Sequence, residues 1–552
     1  MKKISFLALV AAVIAATALG SCKEKQTFTP AVTSTSADVP GWTLNADKPI
    51  EFDWYINFSW ARMNWGTSSV TKQITEKTGV NIRFITPVGN EDERLNALIA
   101  GGALPDIITL GWYQSQIPMM IDAGLVLPLN ELAKEYDPFF FRIADPEKIG
   151  WYTQPDGNVY GYPNSSYSPS DMEKLDGKVD SYQNFLVRKD MYEAIGSPDM
   201  TTPEGFLNAL RAAKNMFPTV DGQPLIPLGF GEFSATGGGN LDTYLLSFLA
   251  LSRETPDGKY NDPTIGPDLP DYVLWLKTFR QAASEGLIPM DVFVDRRTQI
   301  DERAAQGRYF AMLYSSWDMN DAQTARWRVD PNTAYIAVDG PKNSAGDPHT
   351  LGGGGISGWT LTMISKNVKD KARAIQFISY LMSEEGQMDT VFGVPEDNPF
   401  GLPPSFSFVD GVPTLLPDQV EMKVQDPVRY DAEIGADGAN WMLVDAPWRD
   451  QFPKTFSPQQ EQPLEWSRPY VKSFSVYDRL DLEPGSDLAV ALDTIKRRWG
   501  QDLPKLILAS SDAEFDRIWS DFQAFKISTG YDRVQERQTE LMNRNKAALQ
   551  TK

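Results

Sequence analysis

The sequence predicts an α/β protein of two or more lobes, and three observations carry that prediction. From Ile50 to Leu110 strands and helices alternate in the order that builds a parallel sheet. A second strand–helix unit begins at Asn184. The chain is 552 residues long and 42% hydrophobic, enough for more than one core.

The N-terminus comes first. Lys2 and Lys3 precede an apolar run, Ile4 to Leu19, interrupted by Ser5 and Thr17. That run is shorter than the ~20 residues that span a bilayer, which favours a signal peptide over a membrane helix. It ends in Leu19-Gly20-Ser21-Cys22, which resembles the lipobox of bacterial lipoproteins. The expectation is that residues 1–21 are removed, Cys22 is lipidated, and residues 22–47 form a flexible tether. The Ser-, Thr- and Ala-rich composition from Lys23 to Pro40 cannot bury a core.

Composition excludes several classes of function. Cys22 and His349 are the sole cysteine and histidine, so disulfides, a His general base and a Cys/His metal cluster are ruled out by count. A net charge of −21 argues against nucleic acid and against an anionic membrane surface as partners.

From Ile50 an alternating strand breaks into the loop Asn57-Phe58-Ser59-Trp60-Ala61-Arg62. Trp60 and Trp65, set among Ser, Asn and Gly, are expected to be exposed. A helix over Val70–Thr78 stops at Gly79, a strand follows over Val80–Ile85, then an amphipathic helix over Glu91–Ala100 and an apolar strand ending at Leu110. In an open α/β sheet the carboxyl ends of strands face the ligand crevice, which places Trp112 and Tyr113 there. Further on, Phe185–Val187 reads as a buried strand, and Thr202-Pro203 opens a helix with Phe206, Leu207, Leu210, Ala213 and Phe217 on one face. Asp221 stands alone in a loop where calcium would need six to eight oxygens, so no calcium is expected there. Gly237-Gly238-Gly239 lacks a following Lys-Ser/Thr and is no phosphate loop; a flexible cleft loop is expected after Glu232 and Phe233. A strand over Gln306–Ser316 leads to Trp317 and Asp318, and Trp359 opens another strand followed by a helix over Ser365–Glu385 stopped by Gly386. Phe515, Ile518, Trp519, Phe522 and Phe525 recur at helical spacing in a C-terminal helix between Asp512 and Leu549.

Several of these segments, in this order, resemble extracellular solute-binding proteins of family 1, the ligand receptors of ABC importers. The matching stretches are Leu98–Gly111, Asp122–Leu129, Asp156–Pro163, Asn184–Pro218, Gln306–Trp317 and Gly352–Gln387. The resemblance is to the long, lipid-anchored carbohydrate receptors of this family. It implies a two-lobed periplasmic-binding-protein-like fold of type II, with parallel-sheet lobes joined by a hinge and extra C-terminal helices. Lobe 1 is expected from 48–164 and 339–388, and lobe 2 from 165–338 and 389–552. The implied function is capture of a carbohydrate, an oligosaccharide by chain length, with no cofactor, metal or catalytic residue. Importer permease subunits and, through Cys22, the membrane are the expected partners of a monomer. The cleft residues expected from strand-end position and resemblance are Asn57, Trp60, Arg62, Trp112, Tyr113, Tyr162, Glu232, Phe233, Trp317, Asp318 and Trp359. Peptide or polyamine ligands, a surface-anchored glycosidase using two carboxylates and a sugar sensor outside transport remain open at this point.

Overall fold

Alternating apolar residues make Ile50–Ile56 the organising strand of the first sheet, with Trp54 and Tyr55 fully buried. The computed structural model describes residues 31–34, 36–61, 63–176, 178–436, 441–453 and 458–550. Cys22 and Arg62, assigned to lipidation and to the cleft, lie outside the described residues, as do residues 22–30 and 35 of the expected tether. The rest of that stretch is no tether: Trp42 enters the first core, and the Asn45 side chain donates to the Val32 carbonyl and to Gln376.

Ile50–Ile56 pairs in parallel with Val80–Ile85 on one side and with Ile107–Gly111 on the other. The helices between them start where the sequence provides caps. The Ser68 side chain accepts from the Thr71 amide, and Asn90 accepts from Glu93 ahead of three acidic residues in the first turn. The fourth strand, Thr360–Ser365, departs from the expected parallel sheet because it runs antiparallel to Ile107–Gly111, with Thr360 opposite Gly111. The cause is topological. This strand enters from the other lobe at the carboxyl end of the sheet, and no crossover helix carries it round to the amino end. Val126–Leu127 and Gly161–Pro163 complete the sheet against it.

The second sheet has the order Tyr335–Ala337, Gln183–Arg188, Tyr309–Ser315, Ile226–Phe230, and it is also mixed. Against it packs the helix Pro203–Met216, capped by Thr202, with Phe206, Leu207, Leu210 and Ala213 in the core. Between them the chain makes a hairpin whose two turn residues are Asp221 and Gly222, both at positive φ.

Three further differences have plain causes. The helix after Thr360–Ser365 ends at Met382, because Ser383 caps a new helix, Glu384–Val391, that contains Gly386. The expected C-terminal helix is two, Asp512–Ser528 and Tyr531–Gln550, broken at Gly530 with φ 94°. Residues 427–443, expected with the second lobe, place Tyr430, Ile434, Trp441 and Leu443 in the first core. Trp65, expected exposed, meets Trp441 there edge to face at 5.7 Å and donates to the Thr75 hydroxyl. The helices Asp487–Ile507 and Asp512–Ser528 pack on the second core through Trp499, Leu503, Phe515 and Phe522.

The chain changes lobes three times. Residues 164–182 and 338–359 link the two sheets. A third passage lies between Trp448, which packs on Phe392 of the first lobe, and Gln462, which exchanges two hydrogen bonds with Ala337 of the second. Ser357 is a meeting point at this hinge: it accepts from the Trp151 indole through its hydroxyl and from Tyr152 through its carbonyl. Asp478 bonds to the Ser357 side chain, and burial pushes its carboxyl up to about 7. The last helix donates from Asn545 to the Asp478 carbonyl, pairs Lys546 with Glu254, and sets Leu549 against the first-lobe cluster that holds Trp151 and Tyr152.

Candidate ligand-binding cleft

One wall is built on the carboxyl ends of the first lobe's strands. The loop after Ile56 is fixed before it presents anything. The Asn57 amide donates to the Thr109 carbonyl, and its side chain accepts from Tyr55 and donates to Gln114. Asn57 is thus a buried brace for this loop, because its polar atoms are taken by Tyr55, Thr109 and Gln114. The Ser59 amide donates to Glu91 at 2.5 Å. Phe58 and Trp60 then form a stair of rings with Trp359. Centroid spacings are 5.4 Å from Phe58 to each tryptophan and 5.9 Å between the tryptophans, whose planes differ by 12°. Trp60 is 54% exposed, so one face of this stair is open to water.

Trp112 joins the same wall, its amide donating to the Trp359 carbonyl across the antiparallel pair. Tyr113 meets Trp112 edge to face at 5.9 Å and folds its ring back over Gly111, where a Cβ would stand 2.6 Å from the ring. Glycine is required at that strand end for the tyrosine to lie as it does.

The opposite wall comes from the end of Tyr309–Ser315. Trp317, 46% exposed, packs edge to face on Tyr182 at 5.4 Å, and the Ser316 amide donates to the Tyr182 carbonyl. Asp318 receives Nη1 of Arg297 at 3.0 Å, while Nη2 of the same guanidinium donates to the Asp318 carbonyl and Nε reaches both oxygens of Asp301 at 2.8 Å. Glu232 takes Arg296 and the backbone amide of Arg297, so it anchors the start of the helix Arg297–Ala305.

The two walls sense each other. Tyr113 is more than half exposed, yet burial pushes its hydroxyl pKa up, with Glu91, Asp318 and Asp92 adding to the rise. Asp318 belongs to the other lobe, so the two strand ends lie close enough for its charge to be felt at Tyr113.

Two expected residues sit elsewhere. Tyr162 lies in the first core, edge to face with Phe140, its hydroxyl accepting from the Asp145 amide. Phe233 lies in the second core against Phe230 and Phe293. Both positions flank polar loops in the sequence, but their apolar surface is spent on packing. Phe58, Tyr182 and Arg297 were not expected. Phe58 stands beside the expected Asn57 in the loop after a strand, where a closer reading of strand ends finds it. Tyr182 precedes the strand Gln183–Arg188, and only that strand's antiparallel pairing with Tyr309–Ser315 brings it to the carboxyl end that carries Trp317. Arg297 begins a helix remote from any strand end, and nothing local signals it.

A family model for bacterial extracellular solute-binding proteins matches residues 69–394. This chain belongs to that family. Solved structures share its fold at 16% identity. They include the alginate-binding protein AlgQ2, at TM-score 0.64 and covering 90% of this chain and 98% of that one. The S. pneumoniae ABC-transporter substrate-binding protein FusA in complex with kestose has a TM-score of 0.65 over 90% and 100% of the two chains. An HMO-binding, ABC-transporter-associated protein from Bifidobacterium longum infantis has 0.65 over 90% and 99%. No curated protein matches the chain. The solute-binding family is extracellular. The two-residue turn at Asp221 and Gly222 offers a single carboxylate, which does not fit a calcium shell of six to eight oxygens.

Proposed function

We propose that this protein is a lipid-anchored receptor of an ABC importer that captures an oligosaccharide between its lobes. The observation that carries the reading is the open stair Phe58–Trp60–Trp359, faced across the cleft by Trp317, Asp318 and Arg297. Pyranose rings present C–H faces that lie on indoles, and their hydroxyls bond to carboxylates and guanidinium groups. Two aromatic walls with charged hydrogen-bonding groups between them suit several linked rings. Kestose bound by FusA and the HMO-binding role of the Bifidobacterium protein support the same class of ligand. Trp112 and Tyr113 extend the first wall, and closure brings the walls together by rotation at the three crossings.

The test is a thermal-shift screen of the full-length protein in mild detergent against an oligosaccharide panel, with chromatography of each hit. Binding to the folded state raises the melting temperature by mass action, about 2.7 kcal/mol at a hundredfold excess over Kd. A sugar recovered intact fits a receptor. A cleaved sugar overturns that role in favour of a surface glycosidase, and hits confined to peptides or polyamines overturn the ligand class.

A further inference from the structure

The wall that holds Trp317 carries two arginines, and both are bound by carboxylates. Arg296 pairs with Glu232 at 2.5 Å. Arg297 is gripped from two sides, by Asp301 through Nε and by Asp318 through Nη1 and the backbone. Burial alone disfavours a charged guanidinium, but Tyr314 and then Asp318 and Asp301 hold the Arg297 pKa above its ordinary value. The group Asp301–Arg297–Asp318 therefore has a formal charge of −1 at neutral pH. Across the cleft Glu91 and Asp92 approach the Tyr113 hydroxyl, which also feels Asp318. Arg94, on the helix with Glu91, acts at Tyr55 beneath the wall.

A guanidinium has five N–H donors, and Asp301 and Asp318 take three directions of the fork. The remaining N–H on each terminal nitrogen can meet a neutral hydroxyl. A carboxylate arriving there meets the charges of Asp301 and Asp318 as well as the arginine that would attract it, and like charges at a partly buried site repel more strongly than in water.

Resting on the oligosaccharide reading above, we infer that Asp301 and Asp318 are specificity residues that mask Arg297, so the cleft takes neutral or amine-bearing sugars and rejects uronate-bearing ones. The masking is a repulsive device: it costs attraction for acids and leaves hydroxyl bonding in place.

The experiment is calorimetric titration of the full-length protein with length-matched oligosaccharides, one set neutral, one bearing uronates and one bearing amines, at 50 and 500 mM salt. The same titrations are run on Asp318→Asn and on Asp301→Asn/Asp318→Asn. The reading is the ratio of uronate to neutral affinity, which cancels any general loss in a variant. The expected ratio for the unaltered protein is below 1:10 at low salt, narrowing at high salt as screening weakens the repulsion. In the double variant it rises tenfold or more. Uronates bound as tightly as neutral sugars by the unaltered protein overturn the masking and leave the oligosaccharide reading standing, as does a ratio the double variant leaves unmoved. Absence of binding by every sugar set overturns both.

Discussion

Asp242 provides a sharp test of how burial sets the pH response of this fold. Its carboxylate lies in the second lobe, 3% exposed, accepting from the Gly238 amide at 2.6 Å and from the Trp499 indole at 3.0 Å. Burial outweighs those two bonds and raises its pKa from 3.8 to about 7, with Asp262 adding to the rise. An acid whose folded pKa lies above its unfolded value binds its proton more tightly when folded. Stability is then fullest below about pH 4 and is lost as pH rises towards 7. At 1.36 kcal/mol per pKa unit, the loss is on the order of 4 kcal/mol. The perturbation is Asp242→Asn, which cannot ionise. Its amide supplies one acceptor where the acid supplies two, so one buried N–H is left unpaired at a pH-independent cost of about 1–3 kcal/mol. The quantity to measure is the difference in melting temperature between variant and unaltered protein at pH 5 and at pH 8. We expect it to move in the variant's favour by several degrees, at roughly 2 °C per kcal/mol for a unit of this size. A difference that is the same at both pH values would refute the argument that desolvation governs this carboxyl.

Three other outcomes follow from the packing and the site. Trp60→Ala, which removes a half-exposed indole, should weaken binding of any sugar hit from the screen about tenfold or more, as expected for ~60–100 Å² of lost apolar contact, with little change in melting temperature; calorimetry with that hit checks it. Phe233→Ala should cost about 3–5 kcal/mol of stability by leaving a cavity against Phe230 and Phe293, read by denaturant unfolding, with ligand affinity retained in the folded fraction. Chelation of calcium should leave both melting temperature and affinity unchanged, because the Asp221–Gly222 turn offers one carboxylate.

How far the sequence disclosed the molecule depends on range. The units from Ile50 to Leu110 and from Phe185 to Phe217 were legible because their signals are local: a period of two or of 3.6, a Ser, Asn or Thr cap, a Gly stop. The direction of Thr360–Ser365 was not, since periodicity is the same whichever way a strand runs. Trp60 and Tyr162 show the same limit at the site. Each follows a strand or turn and is bordered by polar residues, yet one is 54% exposed and the other 9%. What separates them is Phe140 and Asp145, which close over Tyr162, and no local pattern announces that. Arg297 is the clearest case: its place beside Asp318 is a tertiary fact linking a helix start to a strand end.

The last helix gives the chain's tail a say in how tightly the cleft holds its cargo. Anchored to the second lobe by Lys546 and Glu254, it sets Leu549 against the first lobe's ring cluster. Any rotation of one lobe against the other would strain that contact, and a half-buried leucine is worth part of the about 1.5–3 kcal/mol of a fully buried one. Apparent affinity scales with the fraction of molecules in the competent arrangement. If the lobes close on ligand as proposed, the C-terminus would act as a trim weight on the balance between shut and gaping forms, and a tag fused after Lys552 should register as altered affinity with every cleft residue untouched.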